Sequence, residues 1–278
     1  MGSAQPKRLG VIGDPVAHSI SPAMQQPALD ALGIDAVYER WHTPLSELPA
    51  RIESLRAADV LGANVTVPHK QAVIPMVDEV SPLALKAGAV NTIVNQAGRL
   101  LGDNTDVFGF MTSLQQACAD VVGRQAVILG AGGASRAVVL GLQELGVERI
   151  TLVNRNRERA ERLRDDLGVS GVAIAESAEP LLSSAGLLIN ATSLGWHIGE
   201  MPIDSALLRL LPDNALVMDL TYRETDLLIA AEASGLQTLD GLGMLVYQGA
   251  RAFERFTGRQ APVDVMWAGA LEARAPRG

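Results

Sequence analysis

The chain has a single cysteine, Cys118, in 278 residues, which leaves no intrachain disulfide and no cysteine-based metal site. Its four histidines, at 18, 42, 69 and 197, show no metal-ligand spacing either. No apolar run approaches the ~18 residues of a membrane span. The stretch Leu9-Gly10-Val11-Ile12-Gly13 is far too short for a signal-peptide core, so neither membrane nor export is expected and a cytoplasmic place is. Positive charge is scarce. Against 31 Asp and Glu there are 23 Lys and Arg, a net charge of −8, and phosphate binding on a nucleic acid needs clustered basic residues. What remains is 48% hydrophobic and 19% charged, ordinary globular composition, at a length that suits two modest domains.

Strand and helix patterns alternate from the start. Residues 8–13 read as a buried strand, 36–42 alternate as a half-buried one, and 60–67 and 89–94 give two more, with helices expected near 22–32, 45–57 and 81–86. Ser21 followed by Pro22 reads as an N-cap with proline at the first helical position. Ser19 and Ser21 then sit where free backbone N–H groups and the helix dipole favour an anion.

Three successive strand ends carry small hydrogen-bonding residues: Asn64 and Thr66, then Asn91 and Thr92, then Asn104 and Asp106. A buried amide without a partner costs about 1–3 kcal/mol, so such residues are uncommon in core strands and common where strand ends line a polar cleft. Any one cluster alone reads as an ordinary turn; three in succession read as a site. Lys70 follows the first cluster and Asp106 closes the last, an ionisable pair within a lining suited to a neutral, hydroxyl-rich small molecule.

The 107–119 segment has helical spacing and leads into a second unit. There the apolar strand 126–129 runs into Gly130-Ala131-Gly132-Gly133-Ala134-Ser135, then an apolar helix to Gly146, then a strand at 149–153. A glycine-rich turn between strand and helix, with a second strand on schedule, indicates a dinucleotide-binding βαβ unit. An NAD-binding unit places Asp or Glu at the end of the second strand. This chain has Asn154-Arg155-Asn156-Arg157 with Arg159 one turn on, and an arginine fork suits the 2′-phosphate of NADP. Arg155 is expected to carry most of that preference, with Arg157 and Arg159 more exposed. Further strands are expected at 171–175, 186–190, 215–220 and 236–239. The small-residue loop 190–196 follows one of them, and Tyr222 stands just past another. An amphipathic helix through Phe253 and Phe256 and a last helix over 262–273 close the chain. The expected fold is therefore α/β with two domains: a discontinuous substrate-binding domain (1–106 plus 241–278) and a Rossmann-type, doubly wound dinucleotide-binding domain (107–240).

In combination, His18-Ser19-Ile20-Ser21-Pro22, the 64–70 stretch Asn-Val-Thr-Val-Pro-His-Lys, Gly88-Ala89-Val90-Asn91-Thr92, Asn104-Thr105-Asp106, the 130–137 loop, Asn154-Arg155 and Met244-Leu245-Val246-Tyr247-Gln248 resemble the shikimate dehydrogenase family over nearly the whole chain. The resemblance implies NADPH-dependent reduction of 3-dehydroshikimate to shikimate, by a monomer or homodimer. It implies that Ser19 and Ser21 hold the substrate carboxylate, that Asn64, Thr66, Asn91, Asp106 and Gln248 bind ring hydroxyls, and that Tyr222 closes over them. Lys70 and Asp106 would be the catalytic pair. The cofactor would rest on the Gly130–Ser135 loop, Asn154, Arg155, Arg159, Thr192 and Gly243, and closure of a cleft would precede hydride transfer. Two departures from the family pattern, a short segment after Tyr222 and Trp196 beside the expected nicotinamide, leave quinate or another cyclitol as an alternative substrate. A non-catalytic ligand-binding regulator would be expected to lose the ionisable pair or to gain a basic segment.

Overall fold

The computed structural model describes residues 5–117, 120–173 and 178–274. In chain order it gives β1 (Lys7–Gly13), α1 (Ser21–Ala31), β2 (Ala36–His42), α2 (Leu48–Ser54), β3 (Val60–Val65), β4 (Glu79–Val80), α3 (Pro82–Ala87), β5 (Thr92–Gln96), β6 (Arg99–Asp103) and α4 (Asp106–Gln116). There follow β7 (Gln125–Leu129), α5 (Gly133–Glu144), β8 (Arg149–Val153), α6 (Arg157–Leu167), β9 (Gly171–Ala173), α7 (Glu179–Leu182), β10 (Leu187–Asn190), β11 (Leu216–Asp219), α8 (Asp226–Ala233), β12 (Gln237–Leu239), α9 (Leu242–Thr257) and α10 (Val263–Ala273). The chain forms two compact units: one from the residues through Gly109 plus Val246–Arg274, the other from Phe110–Leu245. Both crossings fall inside helices, α4 and α9.

Unit 1 is built on a mixed sheet of order β2-β1-β3-β5-β6-β4. β1 pairs in parallel with β2 and β3, while β5 runs antiparallel to both β3 and β6. The reversal at the β5–β6 hairpin follows from Ala97 and Gly98, both at positive φ (53° and 91°), the backbone that matches a tight hairpin to strand twist. One face of the sheet buries Ile12, Trp41, Val60, Ala63, Val65 and Ile93 with Leu48 and Ile52. On α1, Pro27 lies inside the helix and removes the hydrogen bond that Ala23 would accept. The structure explains it: Gly269 of α10 lies so close to the Ala23 carbonyl that a side chain there would collide with it. The proline frees a carbonyl where a glycine backbone closes on it.

Unit 2 is a sheet of order β12-β11-β10-β7-β8-β9 with every pair parallel. Numbered within the unit this is 3-2-1-4-5-6, the doubly wound dinucleotide-binding order, which reverses between β7 and β10. The loops leaving those two strands meet. Gly130 has φ +106°, and a Cβ there would stand 3.0 Å from the Ala191 carbonyl oxygen. Only glycine satisfies both demands.

Several local expectations are corrected. The N-cap of α1 is Ile20, not Ser21, which is the first helical residue; the Ile20 side chain has no group to cap with, so Pro22 stands second. The expected helix over 45–57 is a 3₁₀ turn, Leu45–Glu47, leading into the shorter α2. β3 stops at Val65 instead of 67, since Pro68 has no N–H for a ladder. The strand expected from 89 begins at Thr92. The expected strand 171–175 is described only to Ala173, and Cys118 lies outside the described residues.

Candidate active site

In unit 1 the polar strand ends converge. Lys70 Nζ donates to Asp106 Oδ2 at 2.6 Å, and the two side chains are 22% and 7% exposed. The other Asp106 oxygen accepts from Asn91 Nδ2 at 2.8 Å. That amide nitrogen also reaches Thr105 Oγ1 at 2.9 Å and Gln248 Oε1, on α9, at 3.3 Å. Asn91 Oδ1 is fixed from the other side by the Thr105 N–H at 2.7 Å. Lys70 is itself placed by its backbone carbonyl, which accepts from Val90 N at 2.8 Å, next to Asn91. The preceding His69 is fully buried and donates from Nε2 to the Thr43 carbonyl at 2.7 Å, pinning the turn. Asn104 serves the scaffold: its Nδ2 donates to the Ala89 carbonyl and its Oδ1 accepts from Val107 N in the first turn of α4.

Asn64, at the end of β3, joins the same group. Its Oδ1 accepts from the Tyr38 hydroxyl at 2.7 Å, and its Nδ2 points to Asn91 O and Thr92 Oγ1, both at 3.4 Å. Burial raises the Tyr38 pKa far above the usual phenol value, so this hydroxyl stays a neutral donor. Thr66 N bonds to Ile12 O at 2.8 Å and the Thr66 methyl lies over Gly13, which leads into the Ser19–Ser21 segment. There Ser19 Oγ lies 3.2 Å from Ser21 Oγ and accepts from Ser21 N at 3.3 Å. The backbone donors of the first turn of α1 are committed, Ser21 N to Ser19 Oγ and Ala23 N to Ile20 O at 3.0 Å, and Pro22 has none, so the two serine hydroxyls are the groups this segment offers an anion.

In unit 2 the expected cofactor residues gather around the ends of β7, β8 and β10. Gly132 is the N-cap of α5, and Ser135, fully buried, accepts from Gly132 N through Oγ at 3.0 Å. Serine here does more than keep the helix close; it holds the loop's shape. Around Gly133 a Cβ would meet nothing within 4 Å, so the loop's outer face has room for a pyrophosphate at a helix N-terminus. Asn154 Nδ2 donates to Asn156 O at 2.7 Å, and Asn156 Oδ1 caps α6 through Arg159 N at 2.9 Å. Arg155 is exposed. Arg159 is exposed, as expected, and also donates from Nε to the Ala131 carbonyl at 2.9 Å, so the first turn of α6 that Asn156 caps meets the glycine loop. The residues therefore fit NADP: a bare loop for the pyrophosphate and two guanidinium groups beside the end of β8 for the 2′-phosphate.

The loop after β10 is tied by a buried hub that the sequence reading missed. Asn190 Oδ1 accepts from Thr192 N and Thr192 Oγ1 at 3.0 and 2.7 Å, and its Nδ2 donates to Asp219 Oδ2 at 2.9 Å. Asp219 also accepts from Thr221 N and Thr225 Oγ1, each at 2.9 Å, and burial raises its pKa despite these donors. Asn190 and Asp219 each end an apolar strand, which was the signal available. Past the hub, Tyr222 packs edge-on against Trp196, with ring centroids 5.0 Å apart, and burial raises the tyrosine pKa. Arg223 lies over the Trp196 ring, 4.8 Å from its centre, and donates from Nη1 to the Trp196 carbonyl at 3.2 Å. Trp196 thus has two ring partners, as a loose surface hydrophobe would not. Gly243 abuts Ser113 Oγ so closely that a side chain would collide with it.

Comparison with known proteins agrees with this arrangement. Three family models match: "Shikimate dehydrogenase substrate binding domain" over 11–93, "Shikimate / quinate 5-dehydrogenase" over 113–221, and "Shikimate 5'-dehydrogenase C-terminal domain" over 241–268. A shikimate dehydrogenase (NADP(+)) of Symbiobacterium thermophilum is 48% identical over 95% of this chain and 94% of its own length. The crystal structure of shikimate 5-dehydrogenase from Thermus thermophilus, in complex with NADP(H) and shikimate, superposes with a TM-score of 0.88 at 40% identity, covering 96% of this chain and 99% of that one. A quinate dehydrogenase of Corynebacterium glutamicum in complex with NAD also matches, at 32% identity and a TM-score of 0.87 over 96% and 99% of the two chains. With identity at this level across both units, the chain belongs to the shikimate dehydrogenase family.

Proposed function

We propose that this protein interconverts 3-dehydroshikimate and shikimate with NADP(H), reducing the ketone in the biosynthesis of aromatic amino acids in the cytoplasm, as a monomer or homodimer. Unit 1 is then the substrate-binding domain and unit 2 the NADP-binding domain. The observation that carries the reading is the Lys70–Asp106 pair set among Asn91, Asn64 and Gln248. A ring with several hydroxyls and one carboxylate matches this lining, the carboxylate falling to the adjacent hydroxyls of Ser19 and Ser21 at the start of α1.

NADPH, when bound on the glycine loop, supplies the hydride. The chain's own task is to receive the charge that develops on the substrate oxygen as its carbonyl is reduced. A charged Lys70 placed at that oxygen donates the proton or stabilises the negative charge, and Asp106 keeps the ammonium oriented. Asn91 orients Asp106 in turn, and Gln248 and Thr66 complete the hydroxyl contacts. In the reverse direction Lys70 takes the proton back. Within unit 2, the Tyr222 ring is set edge-on against Trp196.

A quinate-preferring enzyme would share the fold, as the match to a quinate dehydrogenase illustrates, so the overall architecture does not separate the two substrates. The paired serines favour shikimate, because quinate adds a hydroxyl beside the carboxylate they would hold. The test is direct: NADPH oxidation with 3-dehydroshikimate, followed at 340 nm, and NADP reduction with shikimate and with quinate at one pH. Absence of turnover with 3-dehydroshikimate would sink the proposal.

A further inference from the structure

Tyr38 stands on β2, two strands from β3, yet its hydroxyl reaches Asn64 across the sheet. The parallel register aligns Tyr38 with Leu9 and Asn64 with Val11, so both side chains leave the same face. Tyr38 is 4% exposed and its hydroxyl has Asn64 Oδ1 as partner at 2.7 Å. A buried tyrosine needs such a partner, which explains the contact from the tyrosine's side. From the asparagine's side the contact decides more.

The hydrogen bonds run in one direction. The Tyr38 hydroxyl donates to Asn64 Oδ1; Asn64 Nδ2 donates to Thr92 Oγ1 and Asn91 O; the Thr92 hydroxyl donates to Asn91 Oδ1 at 3.1 Å; Asn91 Nδ2 donates to Asp106 Oδ1. The acceptor end is anchored by a carboxylate that also holds Lys70, and the Asn91 backbone carbonyl can only accept. The donor end is anchored by the phenol alone. With Oδ1 accepting from Tyr38, the N–H₂ is the edge that Asn64 turns away from the phenol, and both of the bonds that group makes within the protein are long, at 3.4 Å. It is the loosely held donor of the network.

We infer that Tyr38 is a positioning residue for substrate recognition: its hydroxyl fixes the amide of Asn64 so that the N–H₂ edge, and not the carbonyl edge, meets a ring hydroxyl oxygen of the substrate. This rests on the reading of unit 1 as the shikimate-binding unit. Removing the phenol oxygen leaves Asn64 Oδ1 buried and unpaired, and the amide is then held only by its two long 3.4 Å bonds, which no longer fix the direction of its N–H₂ edge.

The test is a double-mutant cycle on Tyr38→Phe and Asn64→Ala, reading shikimate affinity calorimetrically without cofactor, together with kcat and both KM values. Tyr38→Phe keeps the ring that fills the sheet face, and a thermal melt checks the fold. It should weaken shikimate binding by roughly five- to twentyfold, the range expected for one unmade buried hydrogen bond, with KM for NADP unchanged. In the Asn64→Ala background the same change should cost less than about twofold, since there is no amide left to orient. Asn64→Asp, which keeps the bond from Tyr38 but offers no N–H, should bind shikimate as poorly as Asn64→Ala. Parent-like affinity in Tyr38→Phe beside a weakened Asn64→Ala overturns the inference alone, as does an equal loss in both backgrounds. An Asn64→Ala protein that binds shikimate like the parent overturns the role of Asn64 and the inference with it. A merely structural tyrosine would lower the melting temperature and raise the KM for NADP as well.

Discussion

Replacing Lys70 with alanine separates its chemical role from its structural one, provided both costs are reckoned first. The pair is a 2.6 Å contact between a carboxylate 7% exposed and an ammonium 22% exposed. An exposed ion pair contributes about 0–1 kcal/mol, and stripping one partner from a buried pair costs about 3–5 kcal/mol. Lys70→Ala lies between these limits. Asn91 still holds Asp106 Oδ1 at 2.8 Å, and water can enter where a partly exposed side chain is lost. The structural cost is then roughly 2 kcal/mol, a drop of several degrees in melting temperature. Assayed well below that temperature, the variant should be folded, bind shikimate within a few-fold of the parent, and lose about 10²–10⁴-fold in kcat, the usual worth of a positioned proton donor. Asp106→Asn is the companion. Whichever way its amide turns, its N–H₂ faces either the Lys70 ammonium or the Asn91 amide, donor against donor, so turnover should fall at least as far. The measurement is a set of saturation curves for shikimate and NADP at fixed pH. A Lys70→Ala enzyme within about threefold of parental kcat would refute the assignment outright.

Arg155→Asp should raise KM for NADP by about tenfold or more, through lost charge-assisted bonds and new repulsion, and change KM for NAD much less; a parent enzyme that uses both cofactors equally would contradict this. Arg159→Ala should also weaken NADP, because it removes the side chain bonded to the Ala131 carbonyl, and paired curves for the two cofactors on each variant rank the arginines. Shikimate should exceed quinate in kcat/KM with both assayed at one pH, and equal values would overturn the reading of Ser19 and Ser21. Asp219 has its pKa raised by burial above the ordinary 3.8. The folded protein therefore keeps a proton there that the unfolded chain gives up, and this group's contribution to stability falls as pH rises from 3.8 towards the folded value. Denaturant titrations across that window should show a slope that is absent in Asp219→Asn; identical pH profiles would show that Asp219 does not titrate there.

What the sequence made legible was local. The glycine loop, its flanking strand and helix, and the Asn154-Arg155 strand end lie within one βαβ stretch, where turn chemistry and periodicity act over a few residues. The polar clusters were legible because Asn and Thr at the end of an apolar run are costly without a purpose. What escaped depends on pairing across long separations. Tyr38 and Asn64 are 26 residues apart, and Asn190 and Asp219 are 29 apart; their meeting is a matter of sheet order, which no window reveals. α8 escaped for another reason. Its Asp-Leu-Leu-Ile-Ala-Ala-Glu-Ala run has no clear apolar stripe, and the Thr225 side chain that caps it through Leu228 N lies in a segment that reads as loop. β4 is a two-residue strand, too short to carry a period.

Unit 1 is assembled from both ends of the chain, and this has a consequence during synthesis. Gly249 gives the carbonyl that the buried Gln25 amide needs, Gln248 meets Asn91, Phe256 closes over Gly62, and α10 packs on α1. Gln248, Gly249, Phe256 and α10 do not yet exist when Gly109 leaves the ribosome. From Gly109 to Val246 the ribosome adds all of unit 2, which at ~5–20 residues per second occupies roughly 7–27 s. For that interval the nascent unit 1 carries a sheet face and a helix without their cover, while the contiguous unit 2 gains its last strand, β12, as the interval ends and before α9 and α10 are complete. The later-numbered domain is thus the first able to finish, and the nascent chain's exposure to chaperones and proteases is concentrated on the apolar face that α9 and α10 eventually close.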